Sequence, residues 1–139
     1  VNGLLLDTNV LSELRKGGRA DPHVRAWLTK AEDSSLFSSV LVVGEIRRGI
    51  ETLRRRDAVS ARALDRWLAR LELAYADRLL PIDRAVAEEW GRLDAAFGLP
   101  VVDGLLAATA RVHDLVLVTR NTKDVLRTGI RLLNPFHPS

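Results

Sequence analysis

The sequence predicts an α/β fold, a short and mostly parallel sheet covered by helices on both faces. Short runs of strand length (4–6, 36–38, 79–82, 116–119 and 131–135) alternate with stretches of helical periodicity, the pattern of parallel strands joined by crossover helices. Two of them, Leu4-Leu5-Leu6 and Val116-Leu117-Val118-Thr119, are apolar without alternation, as strands buried on both faces are. No repeat, low-complexity tract or linker divides the 139 residues. One domain over 1–139 is therefore expected, long enough to bury roughly 70% of its unfolded surface.

In chain order, Leu4-Leu5-Leu6 reads as a central strand, and Asp7 at its carboxyl end stands where open α/β sheets place their ligands. A short helix follows through Glu13 to Lys16 and stops at Gly17-Gly18. Asp21-Pro22 starts the next helix, with Asp as N-cap and Pro at the first helical position. Its buried face is Val24, Trp27, Leu28 and Ala31. Residues 34–38 supply a turn beginning at Ser34 and a brief strand. Ser39 caps a helix with a buried stripe of Val43, Ile46, Ile50 and Leu53. Glu45 lies beside that stripe, one turn from Arg48, Gly49 and Thr52.

Residues 54–57 break the pattern before a second helix carrying Leu64, Trp67, Leu68 and Leu71. The two read as a helical hairpin whose polar sides carry Arg47, Arg48, Arg54, Arg55, Arg56, Arg62, Arg66 and Arg70. After the 79–82 strand, Asp83 caps a helix with Val86, Trp90, Leu93 and Phe97 on one face. Gly98-Leu99-Pro100 turns the chain into a helix opening at Val101-Val102-Asp103, which Leu105, Leu106, Thr109 and Val112 carry to His113-Asp114. A polar loop, 120–124, follows the 116–119 strand, and 131–135 forms an edge strand before a loose tail.

Composition narrows the function classes. Cysteine is absent, which excludes thiolate zinc sites and thiol nucleophiles and fits a reducing cytosol. No apolar run approaches the ~20 residues of a membrane span, and the N-terminus lacks the regions of a signal peptide. A cytoplasmic protein with no membrane partner is expected. The leading Val is compatible with an alternative start or a trimmed terminus. The net charge of +3 rests on 21 basic residues, 18 of them Arg. Guanidinium suits bidentate phosphate contacts, so a polyanionic partner is one reading and an Arg-favouring codon bias the other.

Four acids occupy odd places for purely structural residues: Asp7 ends a central strand, Glu45 flanks a buried helix stripe, Asp103 sits in a first helical turn, and Asp124 lies in the loop after Thr119. All four can gather at the carboxyl edge of a parallel sheet. Each alone has a plainer explanation: a cap for Asp7, a helix pair with Arg48 for Glu45, the helix dipole for Asp103, an ordinary loop acid for Asp124. Together they describe clustered carboxylates, which a cation must neutralise if they are to ionise side by side. Oxygen donors without His or Cys select Mg²⁺ or Mn²⁺, and the matching chemistry is metal-assisted phosphodiester hydrolysis.

These motifs, Asp7-Thr8-Asn9, Ser39 six residues before Glu45 in Ser-Val-Leu-Val-Val-Gly-Glu-Ile, Val-Val-Asp103-Gly-Leu-Leu-Ala-Ala-Thr-Ala and Leu-Val-Thr119-Arg-Asn121-Thr-Lys-Asp124, resemble those of PIN-domain ribonucleases. The chain is most similar to the VapC-type toxins of toxin–antitoxin pairs, including the FitB-like branch. The resemblance implies a PIN-like three-layer α/β/α sandwich with a protruding helical hairpin. It makes Asp7, Glu45 and Asp103 the ligands of Mg²⁺ or Mn²⁺, with Asn9, Ser39 and Thr119 as supporting polar groups. Where the family often has an acid two residues after that Thr, this chain has Asn121. Either Asn121 is a neutral ligand or support, or Asp124 takes the acidic role. Gly104 stands where the family commonly has Ala, a change costing the helix start under about 1 kcal/mol. The resemblance further implies an RNA substrate, a homodimer, and a cognate antitoxin with a DNA-binding domain that silences the toxin in a larger hetero-oligomer. Ile46, Ile50, Leu64, Trp67 and Leu71 are candidates for partner contact or for the domain's own core. The hairpin arginines either line the RNA path or form a solvated face with pairs such as Arg62–Asp65.

Two rivals remain. A phosphorylated strand-end Asp, as in haloacid-dehalogenase phosphatases or receiver domains, fits poorly: Asn9 stands where the phosphatase needs a second acid, and no acidic pair precedes Asp7. The other is a catalytically weak PIN scaffold that dimerises and binds nucleic acid with a DNA-binding antitoxin, a reading kept open by Asn121.

Overall fold

The computed structural model describes residues 3–32 and 35–137. The turn predicted at Ser34 and the last two residues of the predicted tail lie outside the described residues. In chain order the elements are β1 (Leu4–Leu6), α1 (Thr8–Leu14), a 3₁₀ turn (Gly17–Arg19), α2 (Pro22–Lys30), β2 (Leu36–Ser39), α3 (Val40–Arg54) and α4 (Ala58–Ala74). There follow β3 (Leu79–Leu80), α5 (Arg84–Phe97), α6 (Val101–Val112), β4 (Val116–Val118), a second 3₁₀ turn (Leu126–Thr128) and β5 (Leu132–Leu133).

The strands form one sheet in the order β3-β2-β1-β4-β5, with every neighbouring pair parallel. The chain builds outward from β1 to β2 and β3, then returns to β4 on the other side of β1. That reversal opens a crevice between the carboxyl ends of β1 and β4, the place where such sheets bind ligands. Successive strand residues point to opposite faces, and Leu5 and Leu6 are both fully buried. Helices therefore cover the sheet on both sides, as the unbroken leucine run requires. Ser38 reinforces the central pair by donating its hydroxyl to the Leu6 carbonyl at 2.8 Å.

The predicted caps operate: Asp21, Ser39 and Asp83 accept hydrogen bonds from first-turn amides of α2, α3 and α5, which satisfies donors the helix itself leaves free. Asp57, read from sequence only as part of a break in the pattern, caps α4 in the same way. Glu13, 5% exposed, fixes the joint between α1 and α2: its carboxylate accepts from the Asp21 amide at 2.7 Å and from Lys16. Burial pushes this carboxyl up, but the two hydrogen bonds and the charges of Lys16 and Arg120 prevail and hold it below the usual range.

Several packing details differ from the periodicity reading. The buried line of α3 is Val42, Ile46 and Ile50, with Val43 and Leu53 at its margins, because the helix is rotated toward α4 by the hairpin. On α6 the residues from Leu106 to Ala110 are all buried while Val112 is exposed; this helix packs between the sheet and α5, so its middle has no solvated side and its end projects. Asp65 bonds across the hairpin to Arg47 at 2.6 Å and to Arg54 at 2.8 Å, and Glu51 joins both arginines. The expected Arg62–Asp65 pair is replaced by this four-residue bridge between the helices, in which Asp65 meets two guanidiniums and not one.

Gly104 is more than a weak helix start. A Cβ there would stand 3.1 Å from Cδ1 and 3.2 Å from Nε1 of Trp90, so the glycine lets the indole of α5 lie on the backbone of α6 one residue from Asp103. The Trp90 Nε1 is buried with no hydrogen-bond partner among the described residues. Gly104→Ala is expected to lower Tm, since crowding a packed contact costs about 1–3 kcal/mol against a propensity gain of at most about 1 kcal/mol. Adding Trp90→Phe, which shrinks the ring and removes the unpaired donor, is expected to recover most of the loss. Thermal denaturation of the single and double variants checks this, and an unchanged Tm in Gly104→Ala would show that the ring moves aside freely.

Candidate active site

The crevice between β1 and β4 opens into a cleft of about 590 Å³ lined by Asp7, Glu45, Asp103 and Asn121 together with polar and basic residues of α1 and α3. Asp7 is its fixed point. The backbone amide of Asp7 still donates to the β4 carbonyl of Val118 at 3.0 Å, so the sheet itself sets where the side chain begins. One carboxylate oxygen accepts the Thr8 amide at 2.6 Å, capping α1, and the other accepts the Thr119 hydroxyl at 2.7 Å. The residue is 8% exposed, a buried carboxylate whose oxygens are each hydrogen-bonded, as burial demands. Asp7 is thus the helix cap that its position suggested and a wall of the cleft at once.

From Asp7 two short relays lead to the other acids. The Thr8 hydroxyl donates to Glu45 Oε1 at 2.5 Å, tying α3 to the start of α1. Glu45 forms no ion pair with Arg48 among the described residues; its plainer explanation gives way to the hydroxyl. On the other side, the Thr119 hydroxyl accepts the Asn121 amide at 3.1 Å, and Asn121 Nδ2 donates to Asp103 Oδ2 at 3.4 Å. Asn9 Oδ1 accepts the Arg120 amide at 3.3 Å and so shapes the same loop. Ser39 acts one step further back: its hydroxyl accepts the Leu41 amide at 3.0 Å, fixing the start of the helix that carries Glu45.

Asp103 carries the electrostatic cost. Burial pushes its carboxyl up, and the neighbouring charges of Asp7, Asp124 and Glu45 push the same way. All four candidate acids therefore share one field, but they do not share one surface. Asn121 lines the cleft, whereas Asp124 does not and reaches Asp103 only through the field. Among the described residues, no three acidic or histidine side chains converge closely enough to ligate one ion as they stand. The donor chemistry nevertheless fits a hard divalent cation: the acids are oxygen donors only, no His or Cys faces the cleft, and Asp103 is a carboxylate that a nearby positive charge would relieve.

Thr8 is the site residue that sequence reasoning passed over. Its signal was its place immediately after a strand-end cap, where its hydroxyl must emerge beside the cap's carboxylate. A second recess of about 420 Å³ lies between α2 and β5, lined by His23, Trp27, Lys30, Leu133 and Asn134 among others; it holds no carboxylate and is separate from this chemistry.

Comparison with known proteins agrees with the geometry. The PIN domain family model matches residues 4–129. VapC ribonuclease Y4jK of Sinorhizobium fredii is 31% identical over 144 aligned positions, covering 98% of this chain and 99% of the relative. Toxin FitB of Neisseria gonorrhoeae is 30% identical, covering 96% and 99%. The structure of FitAB bound to an IR36 DNA fragment superposes with a TM-score of 0.84 at 27% identity, covering 98% of this chain and 97% of that one.

The charge strain at Asp103 has a measurable consequence. A raised carboxyl pKa means the native state holds that proton more tightly than the unfolded chain does. The stability it confers is complete below the ordinary Asp value and is lost as pH rises through the folded value. Asp103→Asn is therefore expected to raise Tm near about pH 7 and to lose that advantage toward about pH 3. Thermal melts across pH check it; equal melting of the two proteins at neutral pH would remove the charge strain.

Proposed function

The chain belongs to the PIN-domain family, and on that premise we propose that it is a divalent-metal-dependent endoribonuclease, the toxin of a VapC- or FitB-like toxin–antitoxin pair. The observation that carries the reading is the cleft itself: three carboxylates from three elements, with Asp7 fixed by two hydrogen bonds at the switch point of a parallel sheet. Asp7, Glu45 and Asp103 would hold Mg²⁺ or Mn²⁺, with Asn121 as a neutral neighbour and Asp124 adding charge from the loop. Such an ion supplies Lewis-acid charge to a phosphodiester and a water acidified for attack.

The chain's own groups do the positioning. Thr119 and the Thr8 amide prevent Asp7 from rotating. The Thr8 hydroxyl orients Glu45. The Asn121 amide side chain donates to Asp103 and holds its carboxylate in the cleft. A carboxylate at position 121 would instead add to the repulsion that already raises Asp103, so Asn121 lowers the negative charge of the floor by one.

The named relatives supply the partner side of the proposal: two are a VapC ribonuclease and a toxin, and the superposed structure is FitAB on DNA. A second cleft of about 320 Å³ runs between α1, α3 and α4, lined by Arg15, Ile46, Ile50, Leu64 and Trp67. It shares Thr8, Glu45, Gly49, Leu53 and Arg56 with the acidic cleft. An antitoxin segment seated there would reach the acids from the side. No helix among the described residues is long and apolar enough to cross a membrane. The spread of the carboxylates favours one other reading, a PIN scaffold that binds nucleic acid and a partner without cutting.

Incubation of the purified protein with a mixed RNA pool separates the two. With Mn²⁺ or Mg²⁺ we expect cleavage that EDTA abolishes, that Asp7→Asn lowers on the order of 10²–10³-fold, and that Thr8→Val lowers roughly 10–100-fold through misplaced Glu45. Either ion is also expected to raise the Tm of the native protein more than that of Asp103→Asn. RNA that is bound but left whole in both metals would select the scaffold reading.

A further inference from the structure

The hairpin arginines are not one population. Arg47 and Arg54 are committed to Glu51 and Asp65. Arg62, Arg66 and Arg70 lie on α4 outside the acidic cleft. Arg48 and Arg56 alone among the eight line that cleft, both exposed and neither paired with a carboxylate among the described residues. Arg48 is one turn from Glu45, a spacing that normally pairs, yet Glu45 takes the Thr8 hydroxyl instead. The arrangement leaves two guanidiniums outside any ion pair among the described residues beside three carboxylates, Arg56 with the charge of Asp57 also near it.

Three of the lining residues also lie in line. Glu45, Arg48 and Thr52 follow each other at helical spacing on α3, on the order of 10 Å from first to last at 1.5 Å per residue, and Arg56 follows in the turn just past the end of the helix. Between them Gly49 presents bare backbone to the cleft: a Cβ there would meet nothing within 4 Å. No packing contact within the chain calls for a glycine at this helical position, although glycine weakens a helix. Gly44 and Gly91 are equally open but lie outside the cleft, so what sets Gly49 apart is its place on the cleft wall, where the bare backbone leaves room for a close approach. Thr52 adds a hydroxyl and half-buried Leu53 an apolar surface at the same wall.

We propose that this face of α3 and its C-terminal extension form a phosphate track. One single strand of RNA would enter the acidic floor with the phosphodiester to be cut, while neighbouring phosphates of the same strand sit on Arg48 and Arg56. The proposal rests on the nuclease reading above and deepens it by giving the substrate a direction, away from Glu45 toward the hairpin turn. Guanidinium holds phosphate in bidentate geometry, and acids with free arginines beside them match a substrate that arrives with a cation and leaves charge to either side. The cleft volume suits a nucleotide-sized length of one strand.

The test is a series of single-stranded oligoribonucleotides of increasing length, cut by the native chain, Arg48→Ala/Arg56→Ala, and Arg66→Ala/Arg70→Ala. The last removes the same charge from the hairpin away from the cleft. For the native chain KM should fall as the strand grows past the cut site. The Arg48/Arg56 variant should lose that length dependence, with KM for the long strands raised roughly tenfold or more and kcat changed little. Affinity for a labelled strand, read by fluorescence anisotropy with cleavage blocked by Asp103→Asn, should show a salt slope reduced by about 0.7 per lost phosphate contact. The Arg66/Arg70 variant should keep both the length dependence and the slope. If the two double variants weaken binding equally, the effect is general charge and the track is overturned. If Arg48→Ala/Arg56→Ala leaves KM and slope intact, the track is likewise overturned. Should the native chain cut no strand, the nuclease reading fails by itself, and the anisotropy arm still decides whether these arginines bind RNA.

Discussion

Everything at the cleft hangs from the carboxylate of Asp7. Its two oxygens are held from opposite sides of the β1/β4 crevice, one by the start of α1 and one by the end of β4. A buried side chain is thereby left with neither carboxylate oxygen unpaired. The same pairing also makes the site depend on the sheet. The β1 and β4 registers place Leu6 opposite Val118, so Asp7 and Thr119 emerge side by side. A one-residue slip would carry the carboxylate to the other face and away from Thr119, while the leucines, buried on both faces, would fit either way. The pairing of β1 with β4 therefore aims the chemistry.

The remaining acids are placed by relays that begin at this point, and their order follows their distance from it. Glu45 is one hydroxyl away, through Thr8. Asp103 is reached through Thr119 and Asn121, by longer bonds of 3.1 and 3.4 Å, and it carries the raised pKa. Asp124 has no place on the cleft surface. The charge strain falls on the least tightly held acid that still lines the cleft, at the N-terminus of a helix whose position Gly104 and Trp90 set by direct contact.

How much of this was legible in the sequence depended on whether the signal was local. Leu4-Leu5-Leu6 and Val116-Leu117-Val118 declared central strands because burial on both faces leaves no room for alternation. Asp21, Ser39 and Asp83 cap the helices that follow them, as expected, since capping is decided within a turn. That Asp7, Glu45 and Asp103 would approach one another followed from the sheet edge they had to share. What escaped was set across elements. The rotation that buries Val42 in place of Val43 depends on α4. The choice of Arg47 and Arg54 by Asp65 depends on two facing helices, whereas Arg62 was merely adjacent in sequence. Thr8 is a common helix-start residue until Glu45 arrives from another helix. Gly104 reads as a loss of propensity until the indole of Trp90 is laid across it.

The hairpin then explains how a chain of modest net charge can be strongly polarised at one place. Glu51 and Asp65 absorb Arg47 and Arg54 on the face where the helices meet the solvent together. Surface pairs of this kind contribute little to stability, but they decide which arginines stay unneutralised. With those two engaged, the positive charge on the wall of the acidic cleft is that of Arg48 and Arg56, beside Gly49, where the helix backbone is open. In the proposed track, cations at that wall would draw a polyanion in, while the carboxylates below would resist it until a metal balanced them. Attraction and repulsion would then be separated by about one helical turn, from Glu45 to Arg48, and that separation would give the cleft its direction.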